Sequence, residues 1–181
     1  SDVYKRQSED ALTSNIILRA GRFFQWKCGP ACFSIPENLS MEISIEKGSW
    51  KTLEHPASAV RLMVFVAEQK VPKEEEIDAL DPVSTHFVAR DSRHMAVGTA
   101  RLTPDGRIGR LAVLKPFRGR GVGAKLLEAA LDCARNSGLR EVTLHAQVHA
   151  RGFYEKYSFE AEGRVFDECG IDHILMRLRL C

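Results

Sequence analysis

The sequence predicts an α/β (α+β) fold, a central mixed β-sheet with helices on both faces, and three observations predict it. Short runs rich in valine, isoleucine and threonine alternate with segments whose apolar residues recur every three to four positions. Near the middle, the apolar run Ile108–Leu114 enters a glycine-rich loop and leaves it as a helical stripe. Thr103-Pro104-Asp105-Gly106 is a tight turn, with proline pre-setting its first corner and glycine taking the positive φ. Taken in order, the chain reads strand, helix, three strands, glycine loop with helix, strand, helix, two strands. Layered packing of a mixed sheet follows.

The individual elements have local causes. Ile43 and Ile45 alternate with polar residues and predict the first strand. Pro56 suits the first turn of a helix with His55 or Thr52 near the cap, and Val60, Met63, Val64 and Ala67 then form one apolar face. Phe65 to Gln69 ends that helix before Val71-Pro72. The acidic run Lys73 to Asp78 is expected as a loop or short helix with a solvated face. Thr85–Arg90 and Met95–Leu102 read as strands, and the turn at Thr103–Gly106 carries the second of them into a strand over Arg107–Leu114. After the loop, Leu126, Leu127, Ala130, Leu131 and Ala134 make a stripe that stops at Asn136-Ser137-Gly138. Glu141–His145 is expected as a short strand buried on both sides, Ala150–Tyr157 as a short helix, and Phe159–Val165 and Ile171–Leu180 as closing strands.

Composition bounds the rest. With 181 residues and 44% hydrophobic side chains, the chain can bury one sizeable core. A net charge of +2 gives no basic surface for nucleic acid or an anionic membrane. No apolar run approaches the roughly 18 residues that span a bilayer, and no signal-peptide pattern is seen. Five cysteines without paired spacing suit a reducing, cytoplasmic setting. Ser1–Gln7 resembles the translation of a transposon-end adapter and is set aside as non-native. Residues 8–40 show no sustained period and are expected to be a disordered extension or translated upstream sequence, Met41 being the expected natural start of a domain over 41–181. The rival reading of 8–40 is an organelle transit peptide, with Arg19, Arg22 and Lys27 among aromatic residues. Cys28 and Cys32 lack a second half for a metal site, and no His and Cys pair has ligand spacing, so no metal is expected.

The glycine loop Arg118-Gly119-Arg120-Gly121-Val122-Gly123-Ala124 would aim backbone N–H groups and a helix N-terminus at one anion, and is read as a pyrophosphate cradle. It lacks the Lys-Ser/Thr of a Walker A loop, and it has neither the spacing nor the early position of a Rossmann fingerprint. Arg118-x-x-Gly121-x-Gly123 instead resembles the R/Q-x-x-G-x-G/A acyl-CoA loop of the GNAT N-acetyltransferase superfamily. Gln147 to Phe159 resembles a second GNAT pattern, N-x-x-A-x-x-F-Y-x-K-x-G-F, with Ala150, Phe153, Tyr154, Lys156 and Phe159 in place. Gln147 replaces the usual asparagine and keeps a carboxamide. Ser158 replaces a glycine and would strain a left-handed position. Val64–Gln69 with Val71-Pro72, Glu74–Asp78, His86, and Gly170-Ile171 with His173 and Met176 look like the ElaA/YjcF-like branch. The resemblance runs from about Met41 to the C-terminus.

The resemblance implies a GNAT-like fold whose sheet splays after the strand that feeds the loop. It further implies acetyl-CoA as co-substrate, its pantetheine arm pairing with the backbone of Leu111, Ala112 and Val113 and its pyrophosphate meeting N–H groups from Arg118 to Ala124. Gln147 would bind an amide of that arm, and Tyr154 would protonate the departing thiolate. Glu68 is a candidate base or acceptor-binding group, and Asp78, His86 and His173 are candidates for the acceptor pocket, with Glu76 as a further negative charge beside a cationic acceptor. The expected reaction is direct transfer of acetyl to a primary amine of a small molecule or protein. A non-catalytic acyl-CoA sensor and a transferase of longer acyl chains are the alternatives, and the assembly is read as monomer or homodimer.

Overall fold

The computed structural model describes residues 42–180, and the expectations for residues 1–41 and Cys181 lie outside them. The described part opens with strand β1 (Ser44–Ser49) and helix α1 (Trp50–Arg61), which runs on into a π-helical segment over Leu62–Glu68. A connection with two short 3₁₀ turns leads to the meander β2 (Thr85–Arg90), β3 (Ala96–Leu102) and β4 (Ile108–Val113). Then come α2 (Val122–Asn136), β5 (Glu141–Gln147), α3 (Arg151–Glu155), β6 (Glu160–Glu168) and β7 (Ile171–Arg179). The expected element order is the one found.

The strands form two antiparallel sheets, β1-β2-β3-β4 and β5-β7-β6. They meet where β4 and β5 run parallel, at a single bridge between Arg107 and Thr143, with the Thr143 N–H donating to the Gly106 carbonyl over 3.0 Å. Beyond that bridge the two strands part. This is the splay expected from the resemblance, and it opens the central cleft of the molecule.

Helices cover both faces of the first sheet. On β2, Val88 packs with Leu53 and Ala57 of α1, whereas Phe87 and Ala89 join Leu126, Leu127, Ala130 and Leu131 of α2 in the main core. A strand between two helical layers has no solvated face, so the alternation of an exposed antiparallel strand is lost there. The α2 stripe is the one expected, every member at most 3% exposed. Gly98 sets its depth: a Cβ there would lie 2.9 Å from the Leu126 side chain, so the first turns of α2 sit directly on β3.

Several expectations are corrected. Helix α1 starts at Trp50, not at Pro56, which falls in its interior. Its buried residues are Leu53, Ala57, Val60 and Arg61, continued by Val64 in the π segment, while Met63 is 60% exposed and Ala67 lies outside too. The π segment, with more residues per turn than an α-helix, rotates the stripe past them. Strand β5 alternates between buried and half-buried residues instead of being buried on both sides, and β6 is exposed along most of its length. The helix expected over Ala150–Tyr157 is the shorter α3, preceded by a 3₁₀ turn. Ser158, which follows it, takes φ 64°, the left-handed position where glycine is usual.

Candidate active site

The cleft between β4 and β5 has a volume of about 950 Å³. One wall is β4 and the glycine loop, the other β5, α3 and the β6–β7 turn, and the π segment with the following connection closes the side toward α1. Val64, Phe65 and Glu68 of that segment and Gln69, which caps it, all reach the wall.

The glycine loop is built as an anion site requires. Gly119 and Gly121 take φ 73° and 78°, and a Cβ on either would meet nothing within 4 Å, so their backbone faces open space. Gly121 is the N-cap of α2, with no side-chain cap, and no acidic residue stands in the first turn. The unsatisfied N–H groups and the positive end of the helix dipole remain open to a ligand. Of the loop residues expected at the cofactor, Arg118, Gly119, Gly121, Val122, Gly123 and Ala124 line the cleft and Arg120 does not. Leu111, Ala112 and Val113 line it as well.

Strand β4 carries a bulge, and Gly109, a lone glycine inside its apolar run, is the sign of it in the sequence. Thr99 pairs with Ala112 but Arg101 pairs with Gly109, so β4 holds one extra residue, and Arg110 takes φ 50°. A bulge leaves a residue outside the ladder and re-aims the backbone beside it. Here it lies on the cleft wall, one residue before Leu111.

Tyr154 is 9% exposed and lies on the opposite wall. Phe153 and Phe159 meet its ring edge-on at centroid distances of 4.9 and 6.0 Å. Burial pushes its hydroxyl pKa up to about 12, which keeps it protonated at neutral pH. Gln147, also on the wall, donates through Nε2 to Gln69 Oε1 at 3.1 Å across the cleft.

Glu68 accepts two hydrogen bonds from Arg118, at 2.6 and 2.8 Å, and Arg118 also donates to the Val113 carbonyl at 2.9 Å. The hydrogen bonds from Arg118 hold the Glu68 carboxyl below the usual range, a poor setting for a proton acceptor. His173 lines the cleft and donates Nδ1–H to the Ile171 carbonyl at 2.8 Å. Asp78 lines it too, bound by Arg101 at 2.7 and 3.0 Å and by Arg110 at 3.1 Å.

His86 is a correction. It is a fully buried residue of β2 that is not on the cleft wall, with its ring 4.8 Å from Trp50 and Nε2 donating to the Asp81 carbonyl at 2.9 Å. Burial lowers its pKa, so it stays neutral. The acidic run is corrected as well. Glu74 and Glu75 are exposed, but Glu76 is 2% exposed and joins a buried cluster of three carboxylates with three arginines. Arg61 binds Asp81 through both terminal nitrogens at 2.9 and 3.0 Å and Glu76 through Nε. Arg101 links Asp81 at 2.8 Å to Asp78, and Arg110 reaches the Glu76 carbonyl at 3.1 Å. The carboxylates expected to attract a cation are thus largely neutralised, and they instead pin the connection before β2 to α1, β3 and β4. The missed signal was Arg61, an arginine within an otherwise apolar helical stripe.

An open glycine loop at an uncapped helix N-terminus, a splayed strand pair and a buried tyrosine meet in one cleft, the arrangement of an acyltransferase class of fold. The model of the acetyltransferase (GNAT) domain matches residues 55–180, and the chain belongs to the GNAT acetyltransferase family, in the branch of ElaA and YjcF. The uncharacterized N-acetyltransferase YjcF of Bacillus subtilis is 38% identical over 120 residues, 65% of this chain and 86% of YjcF. An acyl-CoA N-acyltransferase from Pseudomonas aeruginosa superposes with TM-score 0.65 at 33% identity, over 76% of this chain and 99% of that one. Escherichia coli ElaA superposes with TM-score 0.67 at 28% identity, over 77% and 99%. Family membership makes the chain an acyltransferase by descent. No helix among the described residues is long and apolar enough to cross a membrane.

Proposed function

We propose that the chain is an acetyl-CoA-dependent N-acetyltransferase that moves the acetyl group directly to a primary amine. The observation that carries this reading is the parting of β4 from β5 beside an uncapped, open glycine loop, with Tyr154 on the facing wall. The name of the similar Pseudomonas protein, an acyl-CoA N-acyltransferase, supports an acyl-CoA donor and a nitrogen acceptor.

Acetyl-CoA supplies an activated thioester, and the chain supplies the rest. Backbone groups of Leu111, Ala112 and Val113 pair with the pantetheine arm, and the N–H groups from Arg118 to Ala124 hold the pyrophosphate with added charge from Arg118. Gln147 exchanges its bond with Gln69 for an amide of the arm. The bulge at Arg110–Leu111 offers a strand N–H to the developing oxyanion. Tyr154, protonated at neutral pH as a phenol is and made a weaker acid by burial, donates to the sulfur as negative charge develops there. Glu68 and Asp78 stand on the side where the amine arrives, each already paired with arginine, Glu68 with Arg118 and Asp78 with Arg101 and Arg110.

The test is an amine panel with detection of released thiol. Amine-dependent release of free thiol is the expected result, and acetyl-CoA binding without turnover on any amine contradicts the transferase reading.

A further inference from the structure

Direct transfer to an ammonium needs a proton acceptor. An alkylamine with pKa near 10.4 is only about 0.1% neutral at pH 7.4, equivalent to roughly 4 kcal/mol. Glu68 is tied to Arg118 and held ionised, and His86 is buried away from the cleft. The cleft wall holds three others, His145, His149 and His173.

His145 lies on β5 two residues after Thr143, the point at which β5 bridges Arg107, the residue just before β4. Two residues after Arg107 stands Gly109, beside which a Cβ would meet nothing within 4 Å. Parallel register therefore sets His145 opposite an open stretch of β4, where the strands part and one residue before the left-handed Arg110 of the bulge. Both His145 and Gly109 line the cleft, and His145 shares its strand face with Gln147, two residues on.

The ring of His145 is held from two sides. Its Nδ1 donates to Glu168 Oε2 at 3.0 Å, and its face meets the edge of Phe166 at 4.9 Å. Both partners come from β6, so the contact links the two outer ends of the second sheet's strands around the cleft. A carboxylate on Nδ1 selects the tautomer whose Nε2 carries a lone pair, and stabilises the cation formed when Nε2 takes a proton. Side-chain exposures of 30% for His145 and 41% for Glu168 leave room for an acceptor to reach the ring. His173 lacks such a carboxylate, and it sits on β7, one strand farther from β4.

We infer that His145 is the general base that deprotonates the acceptor amine, with Glu168 as its positioning residue. The inference rests on the acyl-transfer reading above. Nε2 takes one proton from the ammonium, and the freed nitrogen lone pair forms the N–C bond to the acetyl carbon. The C–S bond breaks with its electron pair on sulfur, and sulfur takes the Tyr154 proton. The second nitrogen proton restores Tyr154 through solvent, and His145 releases its proton to bulk water. One ammonium and one thioester thus give one amide, one thiol and one proton.

The experiment pairs kinetics with spectroscopy on the full chain. Two probe acceptors are used, a primary alkylamine and an arylamine already neutral at pH 7. His145→Gln should lower kcat/KM for the alkylamine about 100-fold and for the arylamine less than about threefold, with acetyl-CoA affinity within about twofold of the parent. Glu168→Gln should lower kcat for the alkylamine about tenfold at unchanged KM, and His149→Gln and His173→Gln should show no loss selective for the alkylamine over the arylamine. Imidazole ¹⁵N spectra, assigned by the signal missing in His145→Gln, should show His145 protonated on Nδ1 with bare Nε2, and Glu168→Ala should dissolve that preference. Equal losses with both amines, an acceptor-dependent loss at His173 instead, or a dominant Nε2–H tautomer overturns the inference. Where neither probe is acylated by a chain that binds acetyl-CoA, the tautomer and its response to Glu168→Ala decide. Failure to bind acetyl-CoA sinks the acyl-transfer reading itself, and the base role with it, while the tautomer remains separately measurable.

Discussion

Arg118 and Glu68 form a two-pronged ion pair across fifty residues of sequence, with both oxygens engaged at 2.6 and 2.8 Å. It ties the glycine loop to the end of the π segment. The Arg118 guanidinium assigned to the pyrophosphate is therefore already held by a carboxylate, and a bound anion competes with Glu68 for it. Arg118→Ala should weaken acetyl-CoA binding about tenfold, the magnitude of one charged hydrogen bond of about 1.5–3 kcal/mol less the pair it replaces. Glu68→Gln should leave affinity unchanged or improve it, with a smaller effect at high salt. Calorimetry at two ionic strengths checks both.

The buried arginine–carboxylate cluster makes a stability prediction of the opposite kind. Arg61 is fully buried between Asp81 and Glu76 with Trp50 stacked 5.2 Å from its guanidinium carbon. Arg61→Met removes one partner and leaves two carboxylates behind, at a cost of about 3–5 kcal/mol. Urea unfolding of the variant against the parent measures it, and a change under about 1 kcal/mol would place the cluster among exposed pairs instead.

Acid unfolding should begin at this cluster. Burial raises the Asp81 pKa, but the hydrogen bonds from Arg61 and Arg101 outweigh it and bring the value down to about 2 from 3.8. A lowered carboxylate contributes stability that is full above the unfolded pKa and is lost as pH falls through the folded one. For Asp81 that window is pH 4 to 2, and the contribution is about 2 kcal/mol. His86, lowered chiefly by burial, binds its proton more readily when unfolded, so its loss of stability starts as pH falls below about 6.5. Glu76 runs the other way, since burial raises its pKa and acid relieves it. Melting scans from pH 7 to 2 should show stability falling in two stages, and Asp81→Asn should shrink the lower one, to which the lowered Asp78 also contributes.

Ser158 stands at φ 64° in the turn between α3 and β6. A left-handed residue with a Cβ costs about 1–2 kcal/mol, partly offset by the entropy a glycine loses on folding. Ser158→Gly should therefore stabilise the fold by about 0.5–1 kcal/mol without altering acetyl-CoA affinity. Thermal melts and calorimetry on the same preparation test the two halves.

What could be read from the sequence was what depends on neighbours in the chain. The turn at Thr103–Gly106 is present with the Gly106 N–H bonded to the Thr103 carbonyl at 3.0 Å and Gly106 at φ 87°. The α2 stripe and the glycine loop were equally legible, because a 3.6-residue period and positive-φ glycines are local signatures. Pro56 misled because an interior proline costs one hydrogen bond, which packing of Leu53, Ala57 and Val60 overrides. The charged cluster was hidden for a different reason. Each of its members reads as a surface residue, and only the fold brings residues 61, 76, 81, 101 and 110 together. His145 and Glu168 were overlooked likewise, although His145 stands two residues before Gln147 on one strand and so shares its face. The β4 bulge had one local sign, Gly109 inside the strand run, but a lone glycine does not say which residue leaves the ladder.

Tyr154 separates chemistry from packing. Its ring is buried against Phe153 and Phe159, which a phenylalanine would keep. Tyr154→Phe should lower kcat about tenfold to a hundredfold with acetyl-CoA affinity and melting temperature close to the parent's. A joint fall in turnover, affinity and stability would make it a packing residue.

The most direct measurement for the whole reading is calorimetric titration of the chain with acetyl-CoA. One site per chain with a dissociation constant between about 10⁻⁷ and 10⁻⁵ M is expected, weakened in Arg118→Ala. No heat and no thermal shift with acetyl-CoA would contradict it.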